Sequence, residues 1–205
     1  RTAKYRLDHD AALKEKVNSI LKEAGHPYEY QGTSEITHFL WVLDEHPEVL
    51  DGKVTNALKG TQVACYYGCH ILRPAPVMNH ESGDYPESFE RLVRRLGAEP
   101  VWFDAGRKCC GFHAQFTAEH DVLTITGQIA ASADRAGADL IATPCPLCQM
   151  QLDMYGPEGR EAVKSQTEMP VLHLQQLVGL ALGMTRDEVG FNRHVSARKK
   201  LKIGS

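Results

Sequence analysis

Five of the six cysteines fall into three groups, and each group follows a short apolar segment that is typical of a buried β-strand. The groups are Cys69, the adjacent pair Cys109 and Cys110, and the pair Cys145 and Cys148. Because the carboxyl ends of parallel strands meet at one edge of a sheet, folding would bring these cysteines together. The spacing therefore favours a parallel sheet with a cysteine site at that edge.

From residue 60 onward, short apolar runs alternate with helical patterns, which predicts an α/β fold with a mainly parallel sheet flanked by helices. We predict strands at 62–67, 101–104, 140–143 and 171–172, and helices at 86–96, 118–136, 146–155 and 174–182. Two amphipathic helices precede the sheet, one at 10–24 and one that begins at about Ser34. Residues 73–85 are rich in proline and polar groups, which predicts a long surface loop.

The chain divides into three predicted parts. Residues 1–59 are a helical segment that we interpret as a remnant of, or a linker from, an upstream domain. Residues 60–192 form the cysteine-rich domain, and residues 193–205 form a basic tail. The tail carries Arg193, Arg198, Lys199, Lys200 and Lys202. We interpret it as a solvated tail, with docking onto an acidic partner subunit as the alternative.

Bulk composition limits the classes of partner. The net charge is −3 over 205 residues, so nothing in the overall charge favours a nucleic acid or a membrane surface. No apolar run is long enough for a spanning helix, and the first residues contain no apolar signal core. We therefore expect a cytoplasmic protein, where a cysteine cluster indicates metal binding or catalysis rather than disulfides.

The residue pattern leaves three interpretations of the cysteines open: reduced core residues, a zinc site, or a multinuclear iron-sulfur centre. Cys145 enters a helix through Pro146, and a helix N-terminus stabilises a thiolate. A tetrahedral zinc ion is saturated by four ligands, whereas five cysteines converge here. The side chains of adjacent residues point in different directions, so Cys109 and Cys110 are better suited to two irons of a cluster.

The sequence motifs around the cysteines strongly resemble those of the cysteine-rich CCG domain found in the B subunit of heterodisulfide reductase and in its relatives. These motifs are Tyr-Gly-Cys-His-Ile-Leu-Arg-Pro at 67–74, Lys-Cys-Cys-Gly at 108–111, Pro-Cys-Pro-Leu-Cys-Gln at 144–149 and Pro-Val-Leu-His at 170–173. The likeness covers roughly residues 8–191. It implies that the chain is the second, C-terminal CCG domain of such a subunit, because only one complete motif is present in a family that normally carries two.

The resemblance also implies a cofactor, an activity and partners. In that family each complete motif binds a noncubane 4Fe-4S cluster, with zinc as the alternative here. The implied ligands are Cys69, Cys109, Cys110, Cys145 and Cys148. The implied function is an oxidoreductase subunit that exchanges electrons with a small-molecule disulfide or thiol, or a related acceptor. The implied partners are an iron-sulfur electron-transfer subunit and a flavin-containing subunit. A non-catalytic assembly module that binds zinc or a cluster is the competing interpretation.

Several other residues are candidates for the site. His70 and Arg73 follow Cys69 and could donate hydrogen bonds to cluster sulfur or to an anionic substrate. His113 could supply a proton during disulfide reduction, so His70 and His113 are the candidate catalytic residues. Cys65 is interpreted as a small buried strand residue. His173, between a strand and a helix, is expected to cap structure.

Overall fold

A single parallel sheet organises the chain. The computed structural model describes residues 1–55, 57–196 and 203, and in this part of the chain four strands form a sheet in the order β2-β1-β3-β4. The strands are β1 at Gln62–Cys65, β2 at Glu99–Val101, β3 at Leu140–Thr143 and β4 at Val171–His173. Every paired neighbour runs parallel, which confirms the predicted α/β fold.

The register aligns the carboxyl ends of the strands. Cys65 of β1 pairs with Ala142 of β3, and Thr143 pairs with His173 of β4. The segments that leave β1, β2 and β3 are the ones that carry the three cysteine groups. The sheet therefore delivers all three groups to one edge, as the spacing predicts.

The alternation of side chains along β1 separates two cores. Val63 and Cys65 belong to one hydrophobic cluster, whereas Ala64 and the following Tyr66 belong to the other. Helices contribute residues to both clusters. The first cluster includes residues of α3 at Phe39–Glu45, α5 at Ser88–Arg95 and α9 at Leu174–Ala181. The second includes residues of α6 at Glu119–Arg135 and α7 at Pro146–Met154. The cysteine site belongs to the second face of the sheet, since Cys110 and Cys148 lie in that cluster.

Helices also form the N-terminal part of the chain. They are α1 at Thr2–His9 and α2 at Ala11–Glu23, and the second confirms the helix expected at 10–24. The helix expected from about Ser34 is present as α3, but its predicted start is wrong, because α3 begins only at Phe39. His38 sets this start: it has an extended backbone, and its Nδ1 accepts a 3.1 Å hydrogen bond from the N–H of Leu40.

One strand bound and two additional helices also differ from the prediction. Strand β2 lies two residues earlier than expected, because α5 ends at Arg95 and Glu99 already donates a backbone hydrogen bond to Thr61. The loop at 73–85 contains a short helix, α4 at Ala75–Met78. Helix α8 at Gly156–Ala162 was not predicted, since it opens with Gly-Pro.

Close packing of two glycines brings α8 against α6. A Cβ atom on Gly127 of α6 would lie 2.1 Å from the carbonyl oxygen of Gly159 in α8. The two helix backbones therefore touch, and each glycine permits the approach of the other helix.

The division into parts at 1–59, 60–192 and 193–205 stays a prediction. Leu40 and Trp41 from the first part lie in the same cluster as β1 and α9. Of the basic tail, Arg193 belongs to a short 3-10 helix at Phe191–Arg193. Arg198, Lys199, Lys200 and Lys202 lie outside the described residues.

Candidate functional site

The five cysteines that follow the strands meet at one edge of the sheet. Cys69 lies close enough to Cys109, and Cys148 close enough to Cys110 and Cys145, for these side chains to shift each other's pKa values. These contacts join residues from three separate connections of the sheet. Among the described cysteines all six are free thiols, so none of the five is engaged in a disulfide.

The N-terminus of α7 stabilises the sulfur of Cys145. Interaction with the Cys148 thiol, together with the backbone N–H groups of Cys148 and Leu147, lowers the pKa of Cys145 to about 6 against the effect of burial. Cys145 is the N-cap residue of α7, where backbone N–H groups have no partner within the helix. The N-terminus of α7 thus favours the thiolate form of Cys145.

The adjacent pair Cys109 and Cys110 point their sulfurs into different environments. Cys109 is exposed, whereas Cys110 is buried, as the sequence predicts for vicinal residues. Hydrogen bonding by the Cys148 thiol lowers the pKa of Cys110 to about 7. The sulfur of Cys109 accepts a 3.4 Å hydrogen bond from the N–H of Gly111, whose φ of 82° closes the turn.

The pKa of Cys69 is raised, whereas the pKa values of Cys110 and Cys145 are lowered. Burial and the neighbouring Cys109 together raise the pKa of Cys69 to about 11. The pKa of Cys148 is also raised, first by its interaction with Cys110 and then by that with Cys145. Without a cation, five clustered thiols cannot all ionise, so the site as a whole favours a positively charged occupant.

Tyr66 forms the floor of the site, and it was not predicted from the sequence. Its ring is fully buried, and its hydroxyl donates a 2.7 Å hydrogen bond to the carbonyl of Lys108, directly before the vicinal cysteines. Burial raises the pKa of Tyr66, and charge on Cys148 and Cys110 raises it further. A large aromatic residue at the end of a buried strand, shortly before Cys69, was the available signal.

The two candidate catalytic histidines lie together on the exposed side. The rings of His70 and His113 stack with centroids 5.3 Å apart, and both residues are exposed. The charge of His70 helps to lower the pKa of Cys145. Arg73 is exposed, and Cys65 lies in the first core cluster, away from Cys110 and Cys148.

Cys65 therefore behaves as the buried strand residue that the sequence predicts. Burial raises its pKa well above the usual value for a thiol. His173 caps α9: its backbone N–H donates a 2.9 Å hydrogen bond to the side-chain oxygen of Gln176, in a capping box. The expectation that His173 caps structure is confirmed.

The donor set of the site suits a group held by thiolates. Within the described ranges, no group of three or more His, Cys, Asp or Glu side chains is already placed so that it could hold a metal ion. Two sulfurs have lowered pKa values, at Cys110 and Cys145, and backbone N–H groups are directed at them. Gly68 leaves space beside Cys148, where a Cβ atom would lie 2.8 Å from the sulfur.

The cysteine-bearing part of the chain matches a known protein family. The family model for the CCG cysteine-rich domain matches residues 63–153. The chain is 46% identical over 199 residues to the 8-methylmenaquinol:fumarate reductase membrane anchor subunit of Wolinella succinogenes, covering 97% of this chain and 69% of that protein. It is 34% identical over 196 residues to the B subunit of the Ferredoxin/F(420)H(2)-dependent CoB-CoM heterodisulfide reductase of Methanosarcina acetivorans, covering 94% of this chain and 64% of that protein.

The chain belongs to the CCG family, which includes the B subunit of heterodisulfide reductase. A further relative, from Archaeoglobus profundus, is named for its likeness to that B subunit and is 31% identical, with 91% of this chain and 64% of that protein covered. The CCG chain thus spans about two thirds of the length of these relatives. Their names support the prediction of an iron-sulfur redox subunit of a larger complex.

A solved structure shares the fold of the CCG chain. The crystal structure of a hypothetical protein from Helicobacter pylori superposes with a TM-score of 0.72 over 95% of this chain and 35% of that chain, at 16% identity. In the described part of the CCG chain, no helix combines the length and apolar character that crossing a membrane requires.

Proposed function

We propose that this chain is an iron-sulfur oxidoreductase subunit in which Cys69, Cys109, Cys110, Cys145 and Cys148 hold a noncubane 4Fe-4S cluster. The observation that carries the proposal is the clustering of cysteines from three strand ends, in which Cys69 interacts with Cys109, and Cys148 interacts with Cys110 and Cys145. When bound, an iron-sulfur cluster supplies one-electron redox chemistry whose potential depends on its hydrogen bonds and exposure.

Different residues of the chain have different roles at the site. Cys145 and Cys110 offer sulfurs whose pKa values are lowered to about 6 and about 7, so they bind iron at neutral pH with little competition from protons. Tyr66 excludes water from the buried side and fixes the turn before Cys109 through the carbonyl of Lys108. The acceptor therefore approaches from the exposed side.

A cavity of about 500 Å³ opens beside Cys109, which supports the proposal of a small-molecule acceptor. Apolar residues Ile125 and Ile129 line it, together with the cationic side chains of Lys108 and Arg135. The proposed acceptor is a small-molecule disulfide or thiol, or a related compound. His70 and His113, which stack on each other at the exposed surface and do not line this cavity, are proposed to hold the proton that a departing thiolate takes up.

The proposed setting is a larger complex in the cytoplasm. An iron-sulfur electron-transfer subunit and a flavin-containing subunit would deliver or withdraw the electrons. The named relatives support such a setting, since the Methanosarcina acetivorans protein is a subunit of a reductase that depends on ferredoxin or F(420)H(2). A reducing compartment also suits a site built from free thiols.

The proposal is tested by adding an acceptor to the anaerobically purified, iron-loaded protein. A thiol or disulfide that binds at the centre is expected to change its EPR and visible spectra, and the change is expected to vanish in a Cys109→Ser variant. A complex that reduces its acceptor at an unchanged rate with a cluster-free variant of this chain would contradict a catalytic role and favour a non-catalytic assembly module.

The 46% identity to the 8-methylmenaquinol:fumarate reductase subunit favours a second candidate function. In this alternative the same centre carries electrons from a quinol toward another subunit, and no disulfide is involved. The two candidates differ in the spectral test. A quinol-linked relay is expected to be reduced by a short-chain menaquinol analogue in the presence of its complex, and its spectrum is expected to be insensitive to disulfides.

A further inference from the structure

Gln115, Thr126 and Gln151 form a buried polar group close in sequence to the cysteines but separate from them. The side-chain amide of Gln151 donates a 2.9 Å hydrogen bond to Oε1 of Gln115 and a 3.1 Å hydrogen bond to Oγ1 of Thr126. The three residues are at most 3% exposed. Because they come from three different elements, these two hydrogen bonds connect elements that local structure alone does not join.

Gln151 lies on the buried face of α7 that also carries Cys148. The two residues are three positions apart, so their side chains are neighbours on the helix surface, and both are buried. Cys145 is the N-cap residue of the same helix. The place that Gln151 takes in the core therefore also sets the place of these two cysteines.

Gln115 is joined to Cys110 by a short and closely packed segment. Gly111, with φ of 82°, precedes the 3-10 turn at Phe112–Ala114, and the backbone N–H of Gln115 closes that turn with a 3.2 Å hydrogen bond to the carbonyl of Phe112. A Cβ atom on Gly111 would lie 3.0 Å from Cγ1 of Val122, so the segment is pressed against α6. Holding Gln115 therefore holds Cys110.

Thr126 has a fixed place on α6. A Cβ atom on Gly159 of α8 would lie 2.9 Å from Cγ2 of Thr126, so the methyl group packs directly against the α8 backbone. The hydroxyl oxygen accepts the hydrogen bond from Gln151. Thr126 thus offers α7 an acceptor whose position is set by the packing of α6 on α8.

Stability alone is a poor reason for an amide at position 151. The side-chain oxygen Oε1 of Gln151 is buried and has no hydrogen-bond partner among the described residues. A buried polar atom without a partner is costly, and an apolar side chain of similar size would avoid that cost. What the amide adds is direction, because its two hydrogen bonds weaken steeply when the elements that they join shift.

We propose that Gln151 is a positioning residue, which sets the place of Cys110 relative to Cys145 and Cys148 by tying α7 to Gln115 and Thr126. The vicinal cysteines and the cysteines of α7 come from different connections of the sheet, and this polar group is the buried link between them. The inference rests on the proposed function in taking these cysteines as ligands of one centre.

The first test measures how often Cys110 becomes accessible in the chain without metal. Thr126→Val removes the hydroxyl and keeps the shape of the side chain, whereas Thr126→Ser keeps the hydroxyl. Gln151→Met removes the amide at similar length. Thr124→Val is the matched control, because Thr124 lies on the same helix and its hydroxyl donates a 2.9 Å hydrogen bond within that helix, to the carbonyl of His120.

Each variant is labelled with iodoacetamide under native conditions, and Cys110 and Cys65 are followed separately by mass spectrometry. The two cysteines are 4% and 3% exposed and lie in different core clusters, so Cys65 reports on general loosening of the fold. A buried thiol reacts only when its surroundings open, so its labelling rate follows the population of the open state. Each rate is compared with the wild-type rate of the same cysteine.

Thr126→Val is expected to raise the labelling rate of Cys110 about fivefold, the factor for one lost hydrogen bond, with Cys65 unchanged. Gln151→Met is expected to raise it further, since both hydrogen bonds are lost. Thr126→Ser is expected to recover most of the wild-type rate, and Thr124→Val to match it. An unchanged Cys110 rate in Gln151→Met would overturn the proposal. An equal rise at Cys65 would also overturn it, because it would indicate a merely structural role.

The second test uses the iron-loaded protein. Gln151→Met and Thr126→Val are expected to lose iron to a chelator about fivefold faster than wild type and to shift the EPR signal, while Thr124→Val matches wild type. A wild-type signal and rate in Gln151→Met would contradict the positioning role. If wild type binds no iron at all, the proposed function fails, whereas the labelling result still decides whether Gln151 sets the place of Cys110.

Discussion

A Cβ atom on Gly68 would lie 2.8 Å from the sulfur of Cys148, closer than such contacts occur in proteins. Gly68 also has φ of +71°, which residues other than glycine adopt with strain. Two separate requirements therefore meet at one residue. The chain must turn sharply after β1, and it must leave the sulfur of Cys148 in place.

Replacing Gly68 by alanine is expected to displace Cys148. The backbone strain alone should cost about 1–2 kcal/mol of unfolding free energy. The matched control is Gly60→Ala, since Gly60 has φ of +79° but a Cβ atom on it would have no neighbour within 4 Å. Urea denaturation of the metal-free protein measures both, and iron content after anaerobic loading measures the site.

Gly68→Ala is expected to lose more stability than Gly60→Ala, because the contact with Cys148 adds to the same backbone strain, and only Gly68→Ala is expected to lose iron. Full iron content in Gly68→Ala would show that the contact with Cys148 is unimportant for the site.

Tyr66→Phe is expected to loosen the turn before the vicinal cysteines. The substitution keeps the buried ring and removes the hydroxyl that donates to the Lys108 carbonyl, which should cost about 1 kcal/mol. Tyr28→Phe is the control, because the Tyr28 side chain is 78% exposed. Chemical denaturation gives the free energy, and the rate of iron loss to a chelator reports on the site. Equal behaviour of the two variants would contradict the role of Tyr66.

Cys145 and Cys69 are expected to react at different pH values in the metal-free protein. Only the thiolate is alkylated, and the pKa is about 6 for Cys145 and about 11 for Cys69. Between pH 7 and 9 Cys145 is ionised and Cys69 is protonated, so Cys145 should be modified first. Below pH 6 Cys145 gains its proton and its rate should fall about tenfold per pH unit. Mass spectrometry of iodoacetamide-treated protein checks this, and faster labelling of Cys69 at pH 7 would contradict it.

His70→Gln is expected to raise the pKa of Cys145, because the favourable charge of His70 is removed. The inflection in the pH profile of Cys145 alkylation should therefore move upward. His120→Gln is the control, since the His120 side chain is 90% exposed and its nearest charged partner is Asp121. An identical inflection in the two variants would show that His70 does not act on Cys145.

The cysteine groups and strand β3 could be predicted from the sequence because the signals are local. Each group directly follows an apolar run, and parallel strands bring such positions to one edge. Helix α8 could not be predicted in this way. Its Gly-Pro start indicates a stop, and its place in the fold depends on the close approach of Gly159 to Gly127, a contact between residues far apart in sequence.

Tyr66, which supports the site, is not predicted from the sequence for the same reason. It acts through the carbonyl of Lys108, a residue distant along the chain. This contact leaves no spacing pattern in the sequence. The histidines that were singled out, His70 and His113, were found because they adjoin cysteine motifs.

The central claim is that the five cysteines hold an iron-sulfur centre, and metal analysis of anaerobically purified protein tests it most directly. Iron, acid-labile sulfide and zinc are measured for wild type, Cys145→Ser and Cys65→Ala, the last as control because Cys65 lies in the other core cluster. We predict four iron and four sulfide per chain in wild type and Cys65→Ala, from the proposed 4Fe-4S cluster, and loss of both in Cys145→Ser. Colourless wild-type protein that contains one zinc ion and no sulfide would contradict the claim.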